Sequence, residues 1–248
     1  MRRKPLSERT FAWRYGAAVA MGLALAGCGR EAATPAPSPS ATAAAAATAP
    51  AARPAGPKRV VLAFGDSLYA GYGLERGQSL PDAIQARLRA RGINATVINA
   101  GVSGDTSAAG RQRLAFVLDN LKTPPALVML GLGGNDVLRQ LPVTETRANM
   151  AAMVAELRRR GLPVLLTGMR APPNLGADYV QAFDSIWPDL ARKDDDVLYP
   201  FILDGVIGDP ALMQADRVHP NARGVDRIAD RVAPLVAREL RELPERRG

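Results

Sequence analysis

The sequence predicts an α/β protein: a three-layer α/β/α body built around a central parallel sheet of about five strands. Two observations, and the pairing rule that links them, predict it. Short β-branched or apolar runs alternate with amphipathic segments from residue 58 to residue 240. Strands that alternate with helices in this way pair in parallel, with helices covering both faces. Second, each of the first three strand runs ends in a glycine-rich turn that leads toward a helix.

The elements follow in order. "KRVVLAF" (58–64) is the first strand, and "SLPDAIQARLRARG" (79–92) has helical spacing with Ser79 and Pro81 at its start. "NATVINA" (94–100) is the second strand and "DTSAAGRQRLAFVLDNL" (105–121) the second helix. "PALVMLGLG" (125–133) reads as a buried third strand, and "TETRANMAAMVAELRRRG" (144–161) as a helix that closes on Arg158, Arg159 and Arg160, where cations suit the helix dipole. "LPVLLTGM" (162–169) is the fourth strand, 177–194 is helical, "VLYPFI" (197–202) is a short fifth strand, and 221–240 is a closing amphipathic helix. Met129, Met150 and Met153 fall at core-like positions, and "KDDDV" (193–197) reads as a solvated charge run rather than a cation site.

The segment ahead of this body has a different composition. Arg2, Arg3, Lys4, Arg9 and Arg14 form a basic start, and Tyr15–Gly27 is an uncharged, mostly apolar run. That pattern is a secretion signal, and the run is too short to span a bilayer as a helix. It ends in "LAGC", with Cys28 the sole cysteine, and resembles the lipobox of bacterial lipoproteins. The resemblance implies cleavage before Cys28 and acylation of its thiol and amine, enough chains for stable anchoring. An ordinary signal peptide with a chance cysteine is the alternative. Residues 30–57, rich in Ala, Pro, Ser and Thr, cannot bury a core and read as a tether spanning roughly 30 Å. The expected organisation is therefore signal 1–27, anchor and tether 28–57, folded domain 58–241 and tail 242–248. The expected location is an exported, membrane-anchored protein facing the periplasm or cell envelope.

The net charge of +8 belongs largely to the leader, since residues 1–57 hold seven Lys/Arg and two Asp/Glu. The rest carries 25 basic against 22 acidic residues, and no basic run is interleaved with aromatics, so a nucleic-acid partner is not expected. One histidine and one cysteine exclude the usual zinc ligand sets. "GLGGND" lacks the P-loop lysine, and no G-x-S-x-G elbow occurs.

In parallel sheets, sites form beyond the carboxyl ends of the strands. Here those ends carry "FGDSLYAGYGL", "NAGVSGDTS" and "LGLGGND". Taken singly, Asp66 or Ser67, Asp105 or Thr106, and Asn135 or Asp136 could each cap a helix. Together with "DRVHPN" (216–221), which holds the only histidine, they fit one chemistry. A serine hydroxyl needs an adjacent base to become a nucleophile. His219 can take the Ser67 proton if the C-terminal loop folds over the strand ends, while Asp216 fixes the imidazole tautomer. The Ser67 and Gly104 backbone N–H groups and the Asn135 amide can bind the oxyanion.

These four blocks, in this order and spacing, resemble the GDSL esterases, or SGNH hydrolases, over nearly all of 58–240. Within that family the match is to the bacterial acyl-CoA thioesterase I, arylesterase and lysophospholipase branch. "GMRAPPNLGADYVQAF" (168–183) and "LYPFILDGV" (198–206) look like that branch too, whereas Arg217 stands where glycine is usual. The resemblance implies a flavodoxin-like fold, no cofactor, no metal, and hydrolysis of acyl esters or thioesters through an acyl-enzyme. It also implies an acyl groove lined by the loop after Asn135 (Leu138, Leu141, Pro142) and by Met169, Arg170 and Pro172. A monomer is expected. A cell-envelope carbohydrate O-deacetylase would share the same catalytic set, and an inactive envelope-binding lipoprotein is the remaining alternative.

Overall fold

The computed structural model describes residues 54–243. The expected signal, Cys28, most of the tether and the last residues of the tail lie outside them. The body holds five parallel strands in the order β2-β1-β3-β4-β5. These are β1 (Ala55–Gly65), β2 (Ile93–Gly101), β3 (Leu127–Gly131), β4 (Val164–Thr167) and β5 (Val197–Tyr199). That order is the flavodoxin-like one, and its switch point lies between β1 and β3.

Alternation along the strands assigns the two layers. Val61 and Ala63 of β1, Met129 of β3 and Leu165 of β4 face helices α2 (Leu80–Ala90) and α8 (Ala222–Glu242). Leu62, Phe64, Leu130 and Leu166 face α3 (Ser107–Asp119), α5 (Val143–Arg159), α6 (Ala177–Asp184) and α7 (Ile186–Asp194). The closing helix buries Val225, Ile228, Val232, Val236 and Leu240, one stripe at helical spacing. Met129, Met150 and Met153 are core residues.

The predicted elements appear with shifted ends, and two differ in a way the chemistry explains. Ser79 forms a reciprocal capping box with Asp82, so α2 starts where the sequence places it. The single helical stretch expected over 177–194 is broken at Ser185 into α6 and α7. Pro188, in the first turn of α7, has no N–H for the Asp184 carbonyl and its ring crowds that carbonyl, which favours a break one turn ahead of it. The fifth strand stops at Tyr199 because Pro200 cannot donate to a ladder. β1 begins at Ala55, ahead of the expected Lys58. Two short helices not expected as elements follow the first and third strands: α1 (Ser67–Ala70) and α4 (Gly134–Leu138).

Charges at the far end of the sheet are paired. Arg158 bonds the carboxylates of Asp194 and Asp196, and Arg160 pairs with Glu156 and Asp119. The acidic run thus closes α7 onto α5, with Asp195 in the left-handed region at the helix end.

Candidate active site

The nucleophile candidate sits where β1 gives way to α1. Asp66 caps α1, its carboxylate accepting the Leu68 N–H at 3.1 Å, so Ser67 is the first helical residue. The short helix is held by packing. Tyr69 is buried among the ends of β1, β2 and β3, with its hydroxyl 2.8 Å from the Thr167 Oγ1. A Cβ at Gly131 would overlap the Tyr69 ring and Thr167, and one at Gly101 would overlap the α1 backbone. Glycine is needed there for close approach.

The base arrives on the turn before α8. The His219 Nε2 lies 2.9 Å from the Ser67 Oγ, and its Nδ1 lies 2.7 Å from the Asp216 Oδ2. The other Asp216 oxygen accepts the N–H groups of Val218 and His219, each at 3.0 Å. With Nδ1–H donating to the carboxylate, the Nε2 lone pair faces the serine hydroxyl, the tautomer a general base needs. Hydrogen bonding from His219 holds the Asp216 carboxyl down at about 2. Gln214 locks the turn, its amide donating to the carbonyls of Tyr72 (2.7 Å) and Pro220 (3.0 Å). The Tyr72 ring lies against the imidazole with centroids 4.5 Å apart. Asn221, not His219, caps α8.

The oxyanion candidates come from the ends of β2 and β3. Asn135 lies inside α4 rather than capping it, and one amide hydrogen goes to the Asp105 carbonyl at 2.9 Å. The second hydrogen has no protein acceptor among the described residues, nor do the N–H groups of Ser67 and Gly104. Thr106 caps α3, which leaves Gly104 in a loop at φ +88° with its carbonyl accepting from Arg139. The neighbours are wired. Buried Asp136 accepts from Ser107 N–H (2.8 Å), Ser107 Oγ (2.5 Å) and Thr146 Oγ1 (3.0 Å), tying α4 to α3 and α5. Arg113 pairs with Asp105 at 2.5 Å and donates to the Gly65 carbonyl at 2.9 Å.

A cleft of about 230 Å³ opens beside Ser67 and His219. Leu138, Met169, Arg170 and Pro172 line it as expected from the sequence. Leu141 and Pro142 do not, which corrects the expected groove. The chain turns at Gln140 (φ 51°), the Leu141 carbonyl accepts from Tyr179, and Pro142 begins α5. Leu203, Ile207 and Val218 take that part of the lining instead. Gly104 does not line this cleft. Beneath Ser67, burial pushes the Asp66 carboxyl up to about 6, against the opposing pull of the Leu68 N–H and His219.

Comparisons with known proteins identify the family. The description "GDSL-like Lipase/Acylhydrolase family" matches residues 63–227, more than half the chain. Esterase TesA of Pseudomonas aeruginosa is 40% identical over 178 residues, covering 72% of this chain and 88% of the relative. Thioesterase 1/protease 1/lysophospholipase L1 of Escherichia coli K12 is 35% identical over 180 residues, covering 71% and 84%. Among solved structures, the SGNH-hydrolase family esterase AlinE4 is 54% identical, with a TM-score of 0.64 over 75% of this chain and 98% of that one.

Proposed function

The chain belongs to the GDSL-like lipase/acylhydrolase family, a serine esterase and thioesterase lineage, and from that premise we propose how its own residues do the chemistry. The observation that carries the reading is the unbroken chain Ser67 Oγ, His219 Nε2, His219 Nδ1, Asp216 Oδ2, at 2.9 Å and 2.7 Å. The Ser67 oxygen attacks the acyl carbonyl while the His219 Nε2 accepts its proton. Asp216 stabilises the imidazolium without taking that proton. The developing oxyanion is met by the N–H groups of Ser67 and Gly104 and by the free Asn135 amide hydrogen. Donors that need no reorganisation at that moment act most strongly in a site partly shielded from water. His219 then gives the proton to the departing alcohol or thiol as the bond to the carbonyl carbon breaks. Water, activated by the same imidazole, releases the acid from the acyl-enzyme.

The substrates we infer are esters and thioesters of short to medium acyl chains. The cleft is apolar but smaller than the ~300–1,000 Å³ of ordinary ligand pockets. Its walls at Leu138, Met169 and Leu203 suit an alkyl chain. A graded series of p-nitrophenyl esters and acyl-CoA thioesters tests this. kcat/KM should rise and then fall within the series, whereas a strict preference for acetylated sugars over all of them would favour the O-deacetylase reading.

We propose further that Cys28 carries lipid and tethers the enzyme to the cell envelope. The support is the "LAGC" sequence ahead of an Ala/Pro-rich stretch. Metabolic labelling with a fatty-acid analogue should mark the wild-type chain and be lost in Cys28→Ala. Undiminished labelling of that variant would refute the anchor.

A further inference from the structure

We propose that Arg217 is a specificity-determining residue whose guanidinium receives a phosphate carried on the alcohol part of the ester. The inference rests on the reading of Ser67 and His219 as nucleophile and base, and adds the class of leaving group they serve.

The backbone supplies the first argument. Arg217 is one of three non-glycine described residues at positive φ, at 59°. The turn imposes it. Asp216 gathers two N–H groups ahead of it, the Arg217 N–H goes to the Gln214 carbonyl, and the Gln214 N–H to the His219 carbonyl. A side chain is disfavoured in that conformation and glycine is not. Strained backbone of this kind gathers at functional sites.

The side chain supplies the second. Arg217 lines both the cleft of Ser67 and His219 and an adjoining depression of about 680 Å³ bordered by Ile207, Met213 and Gln214. It therefore stands on the ridge between the acyl cleft and a space able to take the other part of an ester. Only Val218 separates it from His219, so the extended side chain works within about 10 Å of the imidazole.

Charge supplies the third. Among the surface arginines, Arg87, Arg147 and Arg231 pair with carboxylates, while others, such as Arg139 and Arg227, donate to backbone carbonyls. Arg217 has no such partner among the described residues, and neither has Arg170, which lines the same cleft with its guanidinium 5.5 Å from the Phe201 ring centroid. The one carboxylate on that lining is Asp66, buried beneath the serine. Two unpaired guanidiniums and no exposed acid favour an anion. The planar fork of arginine suits phosphate oxygens, and two such groups suit a charge above that of a carboxylate.

The test compares the full chain and its variants on 1-octanoylglycerol and 1-octanoylglycerol 3-phosphate, which differ only in the phosphate. The readout is the ratio of kcat/KM for the phosphorylated ester to that for the neutral one. Arg217→Gly fits the left-handed turn and should keep the fold while the ratio falls about tenfold, as loss of a charge-assisted contact predicts. Arg217→Lys, which keeps the charge but loses the fork, should fall between wild type and Arg217→Gly, and added salt should lower the ratio in the wild type but not in Arg217→Gly. A ratio in Arg217→Gly within about twofold of wild type, less than one such contact is worth, would overturn the inference. Hydrolysis of the neutral ester by wild type, and its loss in Ser67→Ala, tests the underlying reading separately.

Discussion

Two turns meet at the Ser67 hydroxyl, and they are held in opposite ways. The turn from β1 into α1 is fixed by packing: Tyr69 is buried between strand ends, and the local carboxylate, Asp66, is pressed toward neutrality at about 6. The turn from Met213 to Pro220 is exposed and fixed by hydrogen bonds from Gln214 and to Asp216, whose carboxylate is held down at about 2. The proposed nucleophile, half-buried Ser67, is thus seated on the core, whereas the proposed base rides on a surface turn stitched over it. Damage to the first turn should register as stability, and damage to the second as activity.

The predictions run from the largest effect down. His219→Ala should lower kcat by on the order of 10⁵–10⁶ with a melting temperature near wild type, because the imidazole is bound at the surface. A large loss of stability there would break the contrast between the turns. Asp216→Asn should cost about 10³–10⁴ in kcat. Its amide oxygen can still accept the Val218 and His219 N–H groups, so circular dichroism and melting should change little. Asn135→Ala should lower kcat about 10²–10³-fold with little change in KM. A residue serving only α4 would instead cost about 1 kcal/mol of stability and leave activity per folded molecule intact.

The buried turn answers to pH. Asp66 has its folded pKa raised from 3.8 to about 6, so its stabilising contribution is full below about pH 4 and is lost as pH rises through 6. That loss amounts to about 3 kcal/mol by pH 8. Asp66→Asn, which keeps an acceptor for the Leu68 N–H, should lose correspondingly less stability between pH 4 and pH 8 in denaturant titrations. Tyr69→Phe, the smallest change, should cost about 1–2 kcal/mol by breaking the buried bond to Thr167. Its kcat should stay within about threefold of wild type, a change worth under 1 kcal/mol of barrier.

What the sequence made legible follows the same division. Ser67, Gly104, Asn135, Asp216 and His219 stood out because their blocks, most of them possible helix caps when taken singly, fit one chemistry when taken together. The three-layer class was readable from the alternation of strand-like and helix-like runs, but which strand residues face which layer was not, because Val60 to Phe64 are apolar throughout and show no two-residue period. Supports made by distant contacts were not. Tyr69 to Thr167 and Gln214 to Tyr72 leave no local pattern, although the tyrosines in "GDSLYAGYGL" stood in view. The helices α1 and α4 are too short for a 3.6-residue period to declare itself. Leu141 and Pro142 were misplaced because Gln140 takes a left-handed turn that glutamine does not advertise. Arg217 hid its backbone in the same way, and the break between α6 and α7 went unread although Pro188 stood within the stretch taken as one helix.

The central claim is that the exposed turn activates the packed serine. Labelling with a fluorophosphonate, followed by intact mass and peptide mapping, tests it most directly, because only a serine whose proton is taken by a neighbouring base reacts readily. One adduct per chain is expected, on Ser67, with none on Ser67→Ala and labelling strongly slowed in His219→Ala. Equal labelling of wild type and His219→Ala, or an adduct that persists in Ser67→Ala, would contradict it.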